Sequence, residues 1–342
     1  MTVTFDPIDL VPGRRLVRES VTAWFELAPG DRPLVAPGDA VAPGDPLAER
    51  LRAARVAEVS VPAGATGLVP GERWNGALPG AATIGGMRRR RVDELAGELL
   101  FATGDRWRIA TAEHHDVLES PGDGIVREVR SGIGISVELK GRGVSGSWAI
   151  GAPSRGRLEI ATGPQGELRP GSLDVGRAGT ILVVGSRIDA EALTRARAMG
   201  VRGIVVAGLA SKDLRDLESS DRRQRAALHA LPPFAVFVLD GAVRRPIASP
   251  VMAVLEVLSG RDVAIVGDPP LLLVDAPEVE FPVAPRDWVR IRHGERSGRE
   301  GRIVGLAGLR RYPTGTHLES IFVRVDAGPP VAVAIADLER FR

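Results

Sequence analysis

The stretch GTILVVGSRIDAEALTRARAMGVRGIVVAGL (residues 179–209) predicts a strand, a helix and a second strand. Residues 181–184 and 203–208 are short uncharged runs, which are typical of strands covered on both faces. The residues on one face of the intervening helix recur at helical spacing: Ala192, Leu193, Ala196 and Met199. Asp189 can cap this helix at its start, and Gly200 can end it in the left-handed conformation.

The same alternation continues along the chain to about residue 275. SKDLRDLESSDRRQRAALHA (211–230) predicts a polar helix with Ser211 as its cap, PFAVFVLDG (233–241) a third strand, and SPVMAVLEVLSG (249–260) a further helix. The order βαβαβα implies a small parallel sheet with right-handed crossovers. Within a multidomain, β-rich α/β chain, we place this α/β unit at residues 174–280.

A small-molecule site is predicted at one edge of that sheet, because ligands of open parallel sheets bind beyond the carboxyl ends of the strands. The candidate ligand-binding residues are Gly185, Ser186, Arg187, Ser211 and Lys212. The third strand ends at Asp240. Ser211, together with free backbone N–H groups, would hold a small anion. The alternative is that Ser186 and Ser211 are local caps without a ligand.

Residues 1–165 predict closely spaced β structure. The unit Ala-Pro-Gly-Asp starts at Ala28, Ala36 and Ala42, and Pro-Gly-Asp returns at Pro121. Each unit predicts a turn, because proline presets φ and glycine supplies a positive φ. Further along, apolar residues alternate strictly with small or polar ones, which is typical of a half-buried strand: Ile133, Ile135, Val137 and Leu139.

Two segments of this region, VAPGDAVAPGDPLAE (35–49) and SPGDGIVREV (120–129), resemble the barrel-sandwich hybrid, the fold of biotinyl and lipoyl carrier domains. Members of that family present a modified lysine on a hairpin tip, usually between methionines. Neither Lys140 nor the other lysine, Lys212, has such a setting. We therefore expect the fold without the biotin or lipoyl group, and no other cofactor.

The segment DWVRIRHGERSGREGRIVGL (287–306) opens a C-terminal unit that we place at residues 283–342. Val289 and Ile291 alternate inward, Gly294 and Gly298 lie in the predicted turn, and Gly301 starts the next strand. This pattern resembles the KOW motif, which implies an SH3-like barrel. Known KOW domains occur in ribosomal proteins and transcription elongation factors, where they bind RNA or protein partners.

Charge is concentrated in the same unit. The whole chain has a net charge of +2, whereas residues 282–342 contain 11 Arg and 7 Asp or Glu, a net +4. Seven arginines are candidate phosphate contacts in a nucleic-acid-binding surface: Arg290, Arg292, Arg296, Arg299, Arg302, Arg310 and Arg311. The alternative is a solvated or protein-docking face, since Glu295 and Glu300 lie among them and few aromatic residues are available for base stacking.

Several classes of protein are disfavoured by what the sequence lacks. The chain contains no cysteine, so disulfides, thiolate catalysis and Cys-ligated metals are excluded. No apolar run is long enough to cross a bilayer, and no secretory signal is expected, so we predict a cytoplasmic protein. The chain has no His-Glu-x-x-His or Gly-x-Ser-x-Gly motif, and adjacent His114 and His115 point different ways. We expect no metal site and no enzymatic activity.

The sequence thus predicts a non-catalytic interaction protein that docks to RNA, the ribosome or the transcription machinery through a free-standing KOW-like barrel. The alternative is a metabolite-binding regulatory or assembly protein that uses the central α/β unit. A run of four arginines at residues 88–91 is expected to be an exposed loop or helix start, because adjacent cations repel one another and need water. The alternative is contact with RNA or an anionic membrane.

Overall fold

A computed structural model describes residues 6–27, 31–60, 73–74, 83–84, 97–103, 106–226, 233–325 and 327–342 of the chain. Over these residues the protein is rich in β-strands, with three α-helices and several sheets, one of which forms a half-barrel. The arginine run at 88–91 lies outside the described residues.

The strands up to residue 160 are β1 (Gly13–Arg14), β2 (Val17–Arg18), β3 (Val21–Glu26), β4 (Arg32–Pro33), β5 (Ala40–Val41), β6 (Pro46–Ser60), β7 (Arg73–Trp74), β8 (Thr83–Ile84), β9 (Gly97–Thr103), β10 (Arg106–Glu119), β11 (Gly124–Arg130), β12 (Gly134–Leu139), β13 (Arg142–Ser145), β14 (Trp148–Gly151) and β15 (Ser154–Ile160). The later strands are β16 (Glu167–Leu168), β17 (Thr180–Val184), β18 (Arg187–Ile188), β19 (Gly203–Val206), β20 (Ala235–Val238), β21 (Asp262–Val266), β22 (Leu271–Val274), β23 (Trp288–Ile291), β24 (Glu300–Arg311), β25 (His317–Arg324), β26 (Val331–Ala334) and β27 (Leu338–Phe341). The helices are α1 (Ala190–Ala198), α2 (Ser211–Ala226) and α3 (Ser249–Leu258), with short 3₁₀ helices at Pro7–Leu10, Pro170–Ser172, Val175–Arg177 and Ile335–Asp337.

A nine-stranded central sheet has the order β14-β20-β19-β17-β15-β21-β22-β13-β2. Its middle strands β17, β19 and β20 are parallel and alternate with α1, α2 and α3 in the order that the sequence predicted. Helix α1 starts as expected, because the Asp189 carboxylate accepts a hydrogen bond of 2.8 Å from the Ala192 N–H. It is followed by Gly200 at φ +82°, which is a left-handed conformation.

The central sheet extends on both sides of the boundary that the sequence placed between residues 165 and 174. Strand β15 pairs in parallel with β17, and β13 and β14 pair with β22 and β20. Even β2, near the start of the chain, joins through β13. The three domain ranges therefore stay predictions, and the sheet itself is assembled from segments on either side of that boundary.

The Ala-Pro-Gly-Asp units that start at Ala36 and Ala42 form closed turns, whereas most of the unit that starts at Ala28 lies outside the described residues. The carboxylate of Asp39 accepts a hydrogen bond of 2.7 Å from the Ala36 N–H, and that of Asp45 accepts one of the same length from the Ala42 N–H. The glycine before each aspartate has a positive φ, 97° in the first turn and 88° in the second. These turns flank β5, which forms one edge of a four-stranded sheet of order β3-β12-β11-β5.

The alternation predicted along residues 133–139 holds only from residue 134 onward. Ile135, Val137 and Leu139 are buried on β12, but Ile133 lies in the preceding turn with 57% of its surface exposed. A second, larger antiparallel sheet of order β4-β6-β10-β9-β7 completes the N-terminal region, and β8 pairs with β6.

The C-terminal sheet has the order β1-β27-β23-β24-β25-β26. Val289, Ile291, Ile321, Val323 and Leu338 form its core, as the alternating pattern around the first two residues predicted. The sheet also uses the beginning of the chain, because β1 pairs in parallel with β27. It is therefore not built from the C-terminal tail alone.

Gly301 provides a test of the packing in this sheet. A Cβ at Gly301 would lie 2.3 Å from the carbonyl oxygen of Arg324, whereas a Cβ at Gly305 on the same strand would have nothing within 4 Å. We expect Gly301→Ala to destabilise the protein by about 1–3 kcal/mol because of this overpacking. Gly305→Ala should be close to neutral. Thermal unfolding of both variants checks the prediction, and equal melting temperatures would contradict it.

Candidate functional site

The predicted ligand residues Gly185 and Ser186 are covered by the chain itself. The Gly185 N–H donates a hydrogen bond of 2.8 Å to the Thr162 hydroxyl. Ser186 donates from its N–H to the carbonyl of Gly166 at 2.8 Å, and from its hydroxyl to the carbonyl of Gln165 at 3.0 Å. These donors at the carboxyl end of β17 are therefore occupied by the segment that follows β15.

The other three predicted ligand residues form no common site with Gly185 and Ser186 among the contacts that the structure describes. Arg187 is half-buried, and its guanidinium lies 3.7 Å from the Glu167 carboxylate. Ser211 and Lys212 are exposed in the first turn of α2. Within the described part of the chain, no hydrogen bond or ion pair joins any of the three to Ser186. The five residues thus remain a prediction without a shared cavity.

The carboxyl end of the third parallel strand, β20, carries a buried charge cluster instead. Arg290 of β23 has no exposed side-chain surface and binds Asp240 through two hydrogen bonds of 2.8 and 2.7 Å. Its Nε donates to Glu339 at 2.7 Å. Arg14 donates to the same Asp240 at 2.8 Å, and Arg245 lies 3.6 Å from it. We call these five residues the interface cluster, because they join the central sheet to the C-terminal sheet.

The electrostatics of the interface cluster keep its central pair ionised. Burial by itself would raise the pKa of Asp240, but the hydrogen bond and charge of Arg290, with the charges of Arg14 and Arg245, hold that pKa below its usual value. Burial would likewise lower the pKa of Arg290, and the hydrogen bonds and charges of Asp240 and Glu339 raise it instead. The pair is therefore charged at neutral pH and held in a fixed geometry.

A second polar contact joins the same two sheets. The carboxylate of Glu300, at the start of β24, accepts hydrogen bonds of 2.9 and 3.1 Å from the Ser249 N–H at the start of α3. It also accepts one from the Ser249 hydroxyl. A carboxylate at this position satisfies an otherwise unpaired N–H and interacts favourably with the helix dipole. Glu300 is thus a helix cap supplied from a distant part of the chain.

One of the seven arginines predicted to form a cationic surface is not part of an exposed surface. Arg290 is a buried ion-pair residue with no exposed surface, so its guanidinium is not available to a phosphate in this structure. The remaining six predicted arginines are exposed: Arg292, Arg296, Arg299, Arg302, Arg310 and Arg311. Nor is the C-terminal sheet free-standing, as the sequence had predicted, since the interface cluster and Glu300 fasten one side of it to the central sheet.

The sequence did not identify Asp240 and Glu339 as partners of Arg290, nor Arg14 and Arg245 as further contacts of Asp240. One signal was present: Asp240 is a charged residue directly after the continuous apolar strand at 234–239. Such a residue at a strand end is ordinarily solvated, and nothing local indicates that an arginine 50 positions later, as in the contact of Asp240 with Arg290, will cover it.

Neither a protein-family model nor a curated protein matches this chain. In the described ranges, no group of three His, Asp or Glu side chains is placed to hold a metal ion. None of the α-helices described is both long and apolar enough to cross a membrane. Functional inference therefore rests on the charges and contacts of the exposed and buried arginines.

The interface cluster predicts a pH-dependent loss of stability. Asp240→Asn removes the charge that Arg290 needs, so we expect it to lower the free energy of unfolding by about 3–5 kcal/mol at neutral pH. Because the pKa of Asp240 is lowered by folding, its contribution is present above about pH 4, the usual range of the group, and is lost as pH falls through the lowered pKa.

The measurement is the unfolding midpoint of wild type and variant from pH 7 to pH 2. The difference between them should be constant at higher pH and shrink below about pH 4. Asp287→Asn is the control, because Asp287 forms an exposed pair with Arg302 at 3.0 Å that should contribute about 1 kcal/mol or less. A difference that stays constant down to pH 2 would refute this role of Asp240.

Proposed function

We propose that the chain is a non-catalytic interaction protein that binds RNA through its C-terminal sheet, as a component or partner of the ribosome or the transcription machinery. The observation that supports this most is the exposure of six of the seven predicted arginines on one unit. The resemblance of residues 287–306 to the KOW motif, and of the unit to an SH3-like barrel, points to the same class of partner.

The turn between β23 and β24 presents three of these arginines. Gly294 and Gly298 both have φ +84°, so the chain reverses sharply there. Arg292, Arg296 and Arg299 are all exposed in this turn. Cations spaced along a short loop can contact successive phosphates, and each neutralised phosphate releases counterions. Such a loop favours binding to a nucleic-acid backbone without a requirement for a particular sequence.

The hairpin of β24 and β25 offers a second, mixed surface. Arg310 and Arg311 are exposed at its outer end, and the guanidinium of Arg310 lies 5.6 Å from the ring centre of Phe322. Leu306 and Leu309 on the same strand are 53% and 61% exposed. Cations beside apolar and aromatic side chains suit single-stranded RNA, whose phosphates and unstacked bases need both kinds of contact.

One of the two acids that the sequence placed among these arginines is turned toward the central sheet. Glu300 accepts hydrogen bonds from Ser249 at the start of α3, whereas Glu295 remains exposed. Asp287 pairs with Arg302 and partly neutralises that arginine. The turn therefore carries three exposed arginines against the exposed carboxylate of Glu295, which supports an anionic partner.

The alternative, a metabolite-binding regulatory or assembly protein, uses the central α/β unit. Its predicted donors on Gly185 and Ser186 are already bonded to the chain, which makes RNA binding the better supported proposal. A ligand-dependent rise in melting temperature that disappears in the Ser186→Ala, Ser211→Ala double variant would favour the alternative.

The test is binding of the full chain to a fluorescein-labelled single-stranded RNA, measured by anisotropy over a range of salt concentrations. We expect affinity to fall steeply with salt, and the triple variant Arg296→Ala, Arg310→Ala, Arg311→Ala to bind at least about tenfold more weakly. Its slope of log K against log salt should be shallower by about 2, since each lost phosphate contact removes about 0.7.

The control variant replaces three exposed arginines of other sheets, Arg127, Arg130 and Arg157, with alanine. It changes the net charge equally and should leave the affinity nearly unchanged. Absent or salt-insensitive binding by wild type, or equal weakening in both triple variants, would refute the proposal. Capture of a protein partner that survives nuclease treatment, without RNA binding, would point to a protein-docking surface instead.

A further inference from the structure

A small cleft lies over the outer side of the interface cluster. It has a volume of about 310 Å³, which is at the small end of the range for ligand sites. Its walls include Arg14, Arg245 and Arg292, which come from three separate segments of the chain. Ser147 and the carboxylates of Asp240 and Glu339 also line it. The cleft lies at the carboxyl end of β20, the position where parallel sheets generally bind ligands.

Positive charge exceeds negative charge around this cleft. The interface cluster contains three arginines and two carboxylates. Both carboxylates are bonded to Arg290, which lies beneath the cleft with no exposed surface. Arg292 at the rim adds a further cation. The lining side chains thus comprise three guanidinium groups and two carboxylates, and the buried Arg290 adds a fourth guanidinium that binds both carboxylates.

Arg245 has unused hydrogen-bonding capacity. Its side chain is only 8% exposed, and a guanidinium has five N–H donors. It donates one bond to the carbonyl of Arg292 and one to the carbonyl of Asp240, both at 3.3 Å, which is long for this kind of bond. Its Nε is buried without a hydrogen-bond partner among the described residues. The Asp240 carboxylate lies 3.6 Å from this Nε, but Arg14 and Arg290 already bind that carboxylate. An added anion would therefore give Arg245 a closer hydrogen-bond acceptor.

Arg292 brings a second guanidinium to the same place. Its side chain is exposed, and it makes no hydrogen bond or ion pair with any residue that the structure describes. Burial lowers the pKa of Arg245; the charges of Asp240 and Glu339 oppose this, and those of Arg290 and Arg292 lower the pKa further. Arg245 and Arg292 therefore repel each other across the cleft, and an anion between them would convert that repulsion into attraction.

We propose that this cleft binds one phosphate group, either free inorganic phosphate or the phosphate of a small phosphorylated metabolite, with Arg245 and Arg292 as its ligands. Guanidinium groups suit this role, because their paired N–H donors match two oxygens of a phosphate. The site shares Arg292 with the proposed RNA surface, whereas Arg296, Arg310 and Arg311 do not line the cleft. Its walls belong to both sheets, so a bound phosphate fastens the C-terminal sheet more firmly to the central sheet.

The experiment titrates the full chain with inorganic phosphate, with sodium chloride adjusted to hold ionic strength constant, and records the melting temperature and the heat of binding. We expect a saturable rise in melting temperature, because a ligand that binds only the folded state stabilises it. Arg292→Ala, which alters an exposed side chain, should weaken phosphate binding about tenfold, and Arg245→Gln should abolish it.

Arg296→Ala is the matched control, since Arg296 is an exposed arginine of the same turn that does not line the cleft. It should bind phosphate as wild type does. A rise in melting temperature no larger than that produced by chloride, or equal weakening of phosphate binding in Arg292→Ala and Arg296→Ala, overturns the proposal.

A parallel titration with ribose 5-phosphate identifies the source of the phosphate group. Tighter binding than that of inorganic phosphate indicates a metabolite, and equal binding indicates the free ion. If the triple variant Arg296→Ala, Arg310→Ala, Arg311→Ala loses RNA binding but still binds phosphate, the phosphate site is separate from the proposed function.

Discussion

The ion pair between Arg290 and Asp240 is the contact on which the arrangement of this protein depends. It joins a residue of the C-terminal sheet to the carboxyl end of the central parallel sheet, and both side chains are almost completely buried. Two opposite charges removed from water are tolerable only when each satisfies the other with good geometry. The bidentate bonds, with Glu339 and Arg14 as additional partners, supply that geometry and set the position of one sheet relative to the other.

This fixed position decides which surfaces remain available to a partner. The side of the C-terminal sheet that carries Arg290 and Glu300 is turned toward the central sheet, where Glu300 caps α3. By contrast, the arginines of the turn at residues 292–299 and those at the outer end of the β24–β25 hairpin stay exposed. The proposed surface for a polyanion and the proposed phosphate cleft thus depend on one constraint, because the pairing of Arg290 with Asp240 and Glu339 sets how the two sheets meet.

In the central sheet, other segments of the same chain occupy the predicted ligand position. Parallel strands leave unpaired N–H groups and polar side chains at their carboxyl ends, which is why such edges bind ligands. Here, the segment after β15 satisfies Gly185 and Ser186, and the C-terminal sheet covers Asp240. At the cleft beside Arg245, the buried Nε of that residue has no hydrogen-bond partner among the described residues. Topology predicts a ligand position at this edge of the sheet, and the remainder of the chain determines which groups lie there.

The sequence by itself determined the local structure: the βαβαβα order, the Asp189 cap, the Ala-Pro-Gly-Asp turns and the inward residues Val289 and Ile291. Each follows from spacing or backbone preference within about ten residues. Only the tertiary structure decided that strands from before residue 165 join the central sheet, and that Arg290 is buried whereas its neighbour Arg292 is exposed. Identical side chains two positions apart give no local signal of this difference. It arises because a carboxylate 50 residues away in sequence faces one of them and not the other.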